Sequence, residues 1–113
     1  MSPPSTPAYD RDKLVELFGD DPRTLAEVER EFLDTARDVA REIKATDDFT
    51  AVARAAHRLK GASGMIGAAA LRQIAEAVER AAKAEDMPTV RRLREMFDHE
   101  VRRVAEQAGI PVE

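Results

Sequence analysis

His57 is one of two histidines in a chain of 113 residues that has no cysteine. It lies in the run Ala53-Arg54-Ala55-Ala56-His57-Arg58-Leu59-Lys60-Gly61-Ala62-Ser63-Gly64-Met65-Ile66-Gly67. On a helix, residues three and four apart are neighbours, so Ala53 and Gly61 flank the ring one turn to either side, with Gly64 beyond. Glycine inside a helix costs about 1 kcal/mol relative to alanine. Two glycines along one strip break a local rule, and such breaks tend to mark function. What they provide is clearance, so that a bulky reactant can approach the imidazole. Arg54 and Lys60 stand three residues before and after the histidine. Two cations disfavour a further positive charge on the ring and leave a neutral nitrogen lone pair available, as a nucleophile requires. The same cations would stabilise an anionic group once attached. Lys60 is the better placed of the two, because Gly61 and Gly64 leave it room to swing over the ring.

A lone helix histidine is ordinarily structural or merely exposed, so its placement matters. The row Phe49, Val52, Ala56, Leu59, Ser63 and Ile66 faces inward, and His57 sits one residue, roughly 100°, away from it. The ring is therefore expected at the margin of the buried face. Asp47 or Asp48 caps this helix and Gly67 ends it. Before it, a short helix runs from about Asp10 to Phe18 with Leu14, Leu17 and Phe18 as its apolar edge. A second starts at Asp21-Pro22, where an N-cap carboxylate meets a proline at the first helical position. It carries apolar residues at Leu25, Val28, Phe32, Ala36, Val39 and Ile43. After the histidine helix, one starting near Ala68 has the stripe Leu71, Ile74, Val78 and Ala82. The last opens at Asp86, carries Val90, Leu93, Phe97, Val101 and Val104, and stops at Gly109 and Pro111. No run alternates as a strand does. The fold class is all-α: an antiparallel up-down-up-down four-helix bundle with a short additional N-terminal helix. Residues 1–9, rich in proline and hydroxyl residues, read as a disordered tail, and residues 10–113 as a single domain.

Composition excludes several functions. A net charge of −4 argues against general nucleic-acid binding, and one Tyr, four Phe and no Trp leave out the stacking platforms of single-strand binders. The Arg91-Arg92-x-Arg94 cluster is interleaved with Glu95, Asp98 and Glu100, so a solvated face is expected there, with no role for His99. A di-metal bundle needs Glu three residues before His, but Arg54 and Met96 occupy those positions. No phosphate-binding glycine loop is present, so no ATP binding or autokinase activity is expected. No stretch approaches the ~18 apolar residues of a membrane span. The N-terminus lacks the features of a signal peptide, and without cysteine the expected location is the cytoplasm.

The pattern His57-x-Leu59-Lys60-Gly61-x-Ser63-x-x-x-Gly67 resembles the signature of histidine phosphotransfer (HPt) domains of two-component phosphorelays. The resemblance covers roughly residues 10–107 and includes Glu31-Phe32-Leu33, the Asp-rich turn before the histidine helix, and Leu71…Val78-Glu79 after it. It implies a phosphocarrier rather than a turnover enzyme. His57 would accept a phosphoryl group on Nε2 from a receiver-domain aspartate or a kinase, and pass it reversibly to another receiver aspartate. Lys60 and Arg54 would stabilise the phosphoryl group, while Ala53, Gly61 and Gly64 would give access and docking. No cofactor is intrinsic, Mg²⁺ being supplied by the receiver. The expected partners are response-regulator receiver domains and a sensor histidine kinase, with neither nucleic acid nor membrane, and the expected state is a stand-alone monomer. The other residues have blander alternatives. Gly61 could serve helix packing. Ser63 is expected to be small, buried and hydrogen-bonded to backbone. Glu79 could hydrogen-bond the ring across the helix pair, although a surface glutamate is the favoured expectation. Met65 and Met96 are expected to fill core or rim.

Overall fold

Each helix begins where an aspartate, with one exception, can take up its free N–H groups. The computed structural model describes residues 7–111 and shows five helices, with no strand among the described residues. They are α1 (Arg11–Phe18), α2 (Pro22–Ala45), α3 (Phe49–Met65), α4 (Ala69–Lys83) and α5 (Met87–Ala108). Asp10, Asp21, Asp48 and Asp86 cap α1, α2, α3 and α5 by accepting backbone N–H bonds. Ala68 precedes α4 and makes no side-chain cap.

The helix ends are as regular. At the end of α3, Ala68 N–H donates to the Ser63 carbonyl at 2.9 Å and Gly67 N–H to the Gly64 carbonyl at 3.4 Å. This is the paired closure that requires a left-handed residue, and Gly67 supplies it with φ +68°. After α4 the same closure is made with Glu85 at φ +54°, a conformation that a residue with a Cβ rarely takes.

Helices α2, α3, α4 and α5 pack as a closed ring: α2 on α3 and α5, α4 on α3 and α5. The α3–α4 pair shares the most extensive packing, and α1 lies on α2. The apolar stripes read from the sequence fill the centre, with Ala36, Val39, Leu59, Leu71, Val78 and Val90 fully buried. Val28, Phe49 and Leu93 are only partly covered.

Three expectations change. In α1 only Leu14 is buried; Leu17 and Phe18 face solvent, because so short a helix lays a single turn against α2. Met65 and Met96 are also exposed and fill neither core nor rim. The tail expected over residues 1–9 is shorter in its described part, while residues 1–6 lie outside the described residues. Ala8 and Tyr9 belong to the core. Gln107 of α5 accepts the Ala8 N–H at 2.7 Å and donates to the Tyr9 carbonyl at 3.0 Å, and the Tyr9 hydroxyl donates to the buried Glu29 carboxylate. A tyrosine can be buried in this way because its polar end finds a partner. Burial, then the hydrogen bond to Glu29 and the Glu29 charge, push the Tyr9 hydroxyl well above its usual range.

This N-terminal segment is held against the α3–α4 turn. Asp10 N–H donates to the Ile66 carbonyl at 3.0 Å, and a Cβ on Gly67 would come 2.6 Å from the Asp10 Cβ. Gly67→Ala therefore meets both an unfavourable φ and a clash. The backbone cost alone is on the order of 1–3 kcal/mol. Urea denaturation should show at least that loss, and an unchanged midpoint would contradict the close approach of the two segments.

Candidate functional site

The site is built from the exposed side of α3 and one buried carboxylate of α4. His57 projects from α3 with its side chain 67% exposed, next to the buried Ala56. Ala53 is half-buried and Gly61 exposed along the same strip. A Cβ on Gly61 would meet nothing within 4 Å, so no packing contact demands glycine there. At Gly64 a Cβ would make only ordinary contact with the Arg72 side chain, at 3.6 Å. The strip is thus free of side chains for reasons other than helix packing.

Glu79 departs most from expectation. It is not a surface residue: it is 6% exposed, in the tightly packed α3–α4 seam. Its Oε2 lies 2.9 Å from His57 Nδ1. Its Oε1 accepts a hydrogen bond from Lys60 Nζ at 2.9 Å, and Lys83 Nζ lies 3.3 Å from Oε2. Lys60 therefore points at a carboxylate and not over the ring, and the charge against the imidazole is an anion. Lys83 was not singled out from the sequence. Its signal was the spacing Glu79 to Lys83, one helical turn on α4. Glu79 shares a helical row with Ala75 and Ala82, both buried, and that row was its one signal in the sequence.

Hydrogen bonding to Lys60 is the main force holding the Glu79 carboxyl down, to about 2 from an ordinary 4.5; burial opposes it, and Lys83 and His57 add to it. The group is an anion at any physiological pH. An ionised carboxylate can only accept, so His57 must donate through Nδ1–H. In the neutral ring the proton is then on Nδ1 and the lone pair on Nε2, the nitrogen remote from Glu79. This tautomer follows from the hydrogen-bond network.

Stability should report the same charge. The folded carboxyl titrates below its unfolded value, so its contribution is complete above about 4.5 and is lost as pH falls through about 2. Glu79→Gln should be less stable than the parent at pH 7, and the gap should shrink across that acid window. Denaturation midpoints at stepped pH test this; a gap that stays constant would contradict a charged Glu79.

Beside the ring lies a groove of about 810 Å³, lined by Phe49, Ala53, Arg54, Glu79 and Lys83 among others. Arg54 is on its rim, with no ion pair among the described residues. Arg58 pairs with Glu42 at 2.9 Å. Ser63 is fully buried, but its hydroxyl has no hydrogen-bond partner among the described residues, contrary to the expected backbone bond. No group of three or more His, Cys, Asp or Glu able to hold a metal occurs among the described residues. His99 is exposed on α5, beside a separate shallow pocket with Glu95 and Met96.

The family model described as the Hpt domain matches residues 14–107. The chain belongs to the Hpt domain family. Membership implies histidine phosphotransfer within phosphorelays, in a family of phosphocarriers that generally lack kinase activity. Such domains interact with receiver domains and kinases of two-component systems. No match was found among curated proteins or among solved structures. No helix of this Hpt domain is long and apolar enough to cross a membrane, among the described residues.

Proposed function

We propose that this Hpt domain carries a phosphoryl group on Nε2 of His57, taking it from a receiver-domain aspartate or a sensor histidine kinase and returning it to another receiver aspartate. The observation that carries the reading is an exposed imidazole whose Nδ1 is held by a buried, ionised carboxylate. That arrangement presents a single nitrogen lone pair outward, beside an unobstructed glycine strip.

The transfer needs no base. The Nε2 lone pair attacks phosphorus of the aspartyl phosphate. The Nε2–P bond forms as the P–O bond breaks, and the aspartate leaves as carboxylate with the bonding pair. Nδ1 keeps its proton, and the ring acquires positive charge facing Glu79, which stabilises it as a carboxylate does in a catalytic triad. A positively charged ring is also a good leaving group, so the same contact keeps the step reversible. The transition state is largely dissociative, and alignment and charge supply most of the catalysis. Mg²⁺ and the acidic pocket come from the receiver; this domain supplies the nucleophile, the cation Arg54, Lys60 as the partner that holds Glu79, and the docking strip Ala53, Gly61 and Gly64. It needs no cofactor of its own.

Connections of three residues join each consecutive pair of helices. Loops this short favour antiparallel neighbours, which supports an up-down-up-down order for α2 to α5. The interior stripes are satisfied within one chain, in keeping with a monomeric carrier that meets its partners in the cytoplasm.

The test is transfer from a receiver domain labelled at its aspartate. The domain should take up label that is acid-labile and base-stable, as a phosphoramidate is. An acid-stable label would mean serine or threonine chemistry and would overturn the reading.

A further inference from the structure

Charge around the phosphorylated ring does not balance with Lys60 alone. A phosphoryl group on Nε2 brings up to two negative charges at neutral pH, and Glu79, on the other side of the ring, brings a third, against one positive charge on the ring and one on Lys60. The charged groups facing this space are Arg54, Arg58 and Lys60 on α3, Glu79 and Lys83 on α4, and Glu85 after it. Arg58 is paired with Glu42 across the α2–α3 side.

The two lysines on Glu79 differ. Lys60 is 29% exposed and its Nζ is 2.9 Å from Oε1, the oxygen that faces away from the histidine contact. Lys83 is 67% exposed, and its Nζ is 3.3 Å from Oε2, the same oxygen that accepts His57 Nδ1. Lys60 is therefore the anchored partner. Lys83 is on the solvent side, loosely held, next to the ring and on the wall of the groove that opens beside it. A lysine with a flexible stem and a weak contact is the cheaper one to redirect.

Resting on the function proposed above, we infer that Lys83 is a further phosphoryl-binding residue: it leaves Glu79 for the phosphoryl oxygens when His57 is charged, while Lys60 stays on Glu79 and keeps the ring oriented. The two roles are divided between two helices. Charging the histidine then exchanges one ion pair for another across the α3–α4 groove, and discharge restores the first. A receiver docking there meets a different arrangement of charge on the loaded and the empty carrier.

The experiment uses the full chain, phosphorylated with phosphoramidate. The Nε2–P bond forms as the donor's P–N bond breaks, and ammonia leaves with a proton from solvent. The ³¹P signal of the phosphohistidine is then followed with pH in the parent, Lys83→Ala, Lys83→Arg and Arg54→Ala. A nearby cation favours the dianion, so Lys83→Ala should raise the titration midpoint by roughly half a pH unit, and Lys83→Arg should stay near the parent. Arg54→Ala should move it less. The ¹⁵N spectrum of unphosphorylated Lys83→Ala should still report Nδ1–H, because Lys60 retains Glu79; a merely structural Lys83 would disturb that spectrum and leave the phosphoryl titration unmoved. A midpoint unchanged in Lys83→Ala, or one moved more by Arg54→Ala, overturns the inference alone. Failure of the parent to give any phosphohistidine signal overturns the function with it.

Discussion

His57→Gln takes up no phosphoryl group from a labelled receiver, and it folds as the parent does. The loss should be complete, since no other side chain combines a free nitrogen lone pair with the glycine strip; His99, exposed on α5 away from the α3–α4 seam, should acquire nothing. Folding should change little, because the ring is 67% exposed and takes no part in the core. Its one structural contribution is the Nδ1–H bond to Glu79, and the Gln amide can donate in its place. A change within about 1 kcal/mol is the range for a surface substitution of this kind. Denaturation and label transfer on the same preparation measure both halves, and label retained on another residue would contradict the assignment.

Gly61→Leu should separate stability from function in the opposite direction. A Cβ there meets nothing within 4 Å, and replacing a helix-interior glycine gains up to about 1 kcal/mol in propensity. The variant should melt higher than the parent. Its leucine stands one turn from His57 on the strip where a receiver must approach. Transfer from a receiver should fall at least tenfold, which about 1.4 kcal/mol of lost docking energy would produce. Phosphoramidate, small enough to reach Nε2 past the leucine, should label the variant as it labels the parent. Unimpaired transfer from the receiver would show that clearance is not what Gly61 provides.

That two glycines interrupt an otherwise regular helix was legible from the sequence, and so was most of the frame around them. Asp21, Asp48 and Asp86 cap helices through contacts local to a few residues, and local contacts are what a sequence displays. The row from Leu25 to Ile43 likewise reads as a buried stripe because α2 is long enough to repeat its period. Glu79 was less legible for the converse reason. Its burial depends on how closely α4 lies against α3, a relation between helices that neither periodicity states. Lys83 was hidden by the same gap, since its contact matters only once Glu79 is known to face His57. Tyr9 was obscured by its neighbours: proline-rich composition marked the whole segment as tail, whereas Glu29 and Gln107, far along the chain, hold this one residue inside. Leu17 and Phe18 erred the other way, because two turns of helix carry too little period to show which side is covered.

The central claim is that Glu79 sets the reactive atom of His57, leaving Nδ1 protonated and Nε2 nucleophilic. It is tested most directly by ¹⁵N-histidine labelling of the phosphorylated domain and measurement of ³¹P–¹⁵N coupling at His57. Coupling to Nε2, with Nδ1 still carrying its proton, is the predicted result. Coupling to Nδ1, or a phosphoryl group on any other residue, would contradict it.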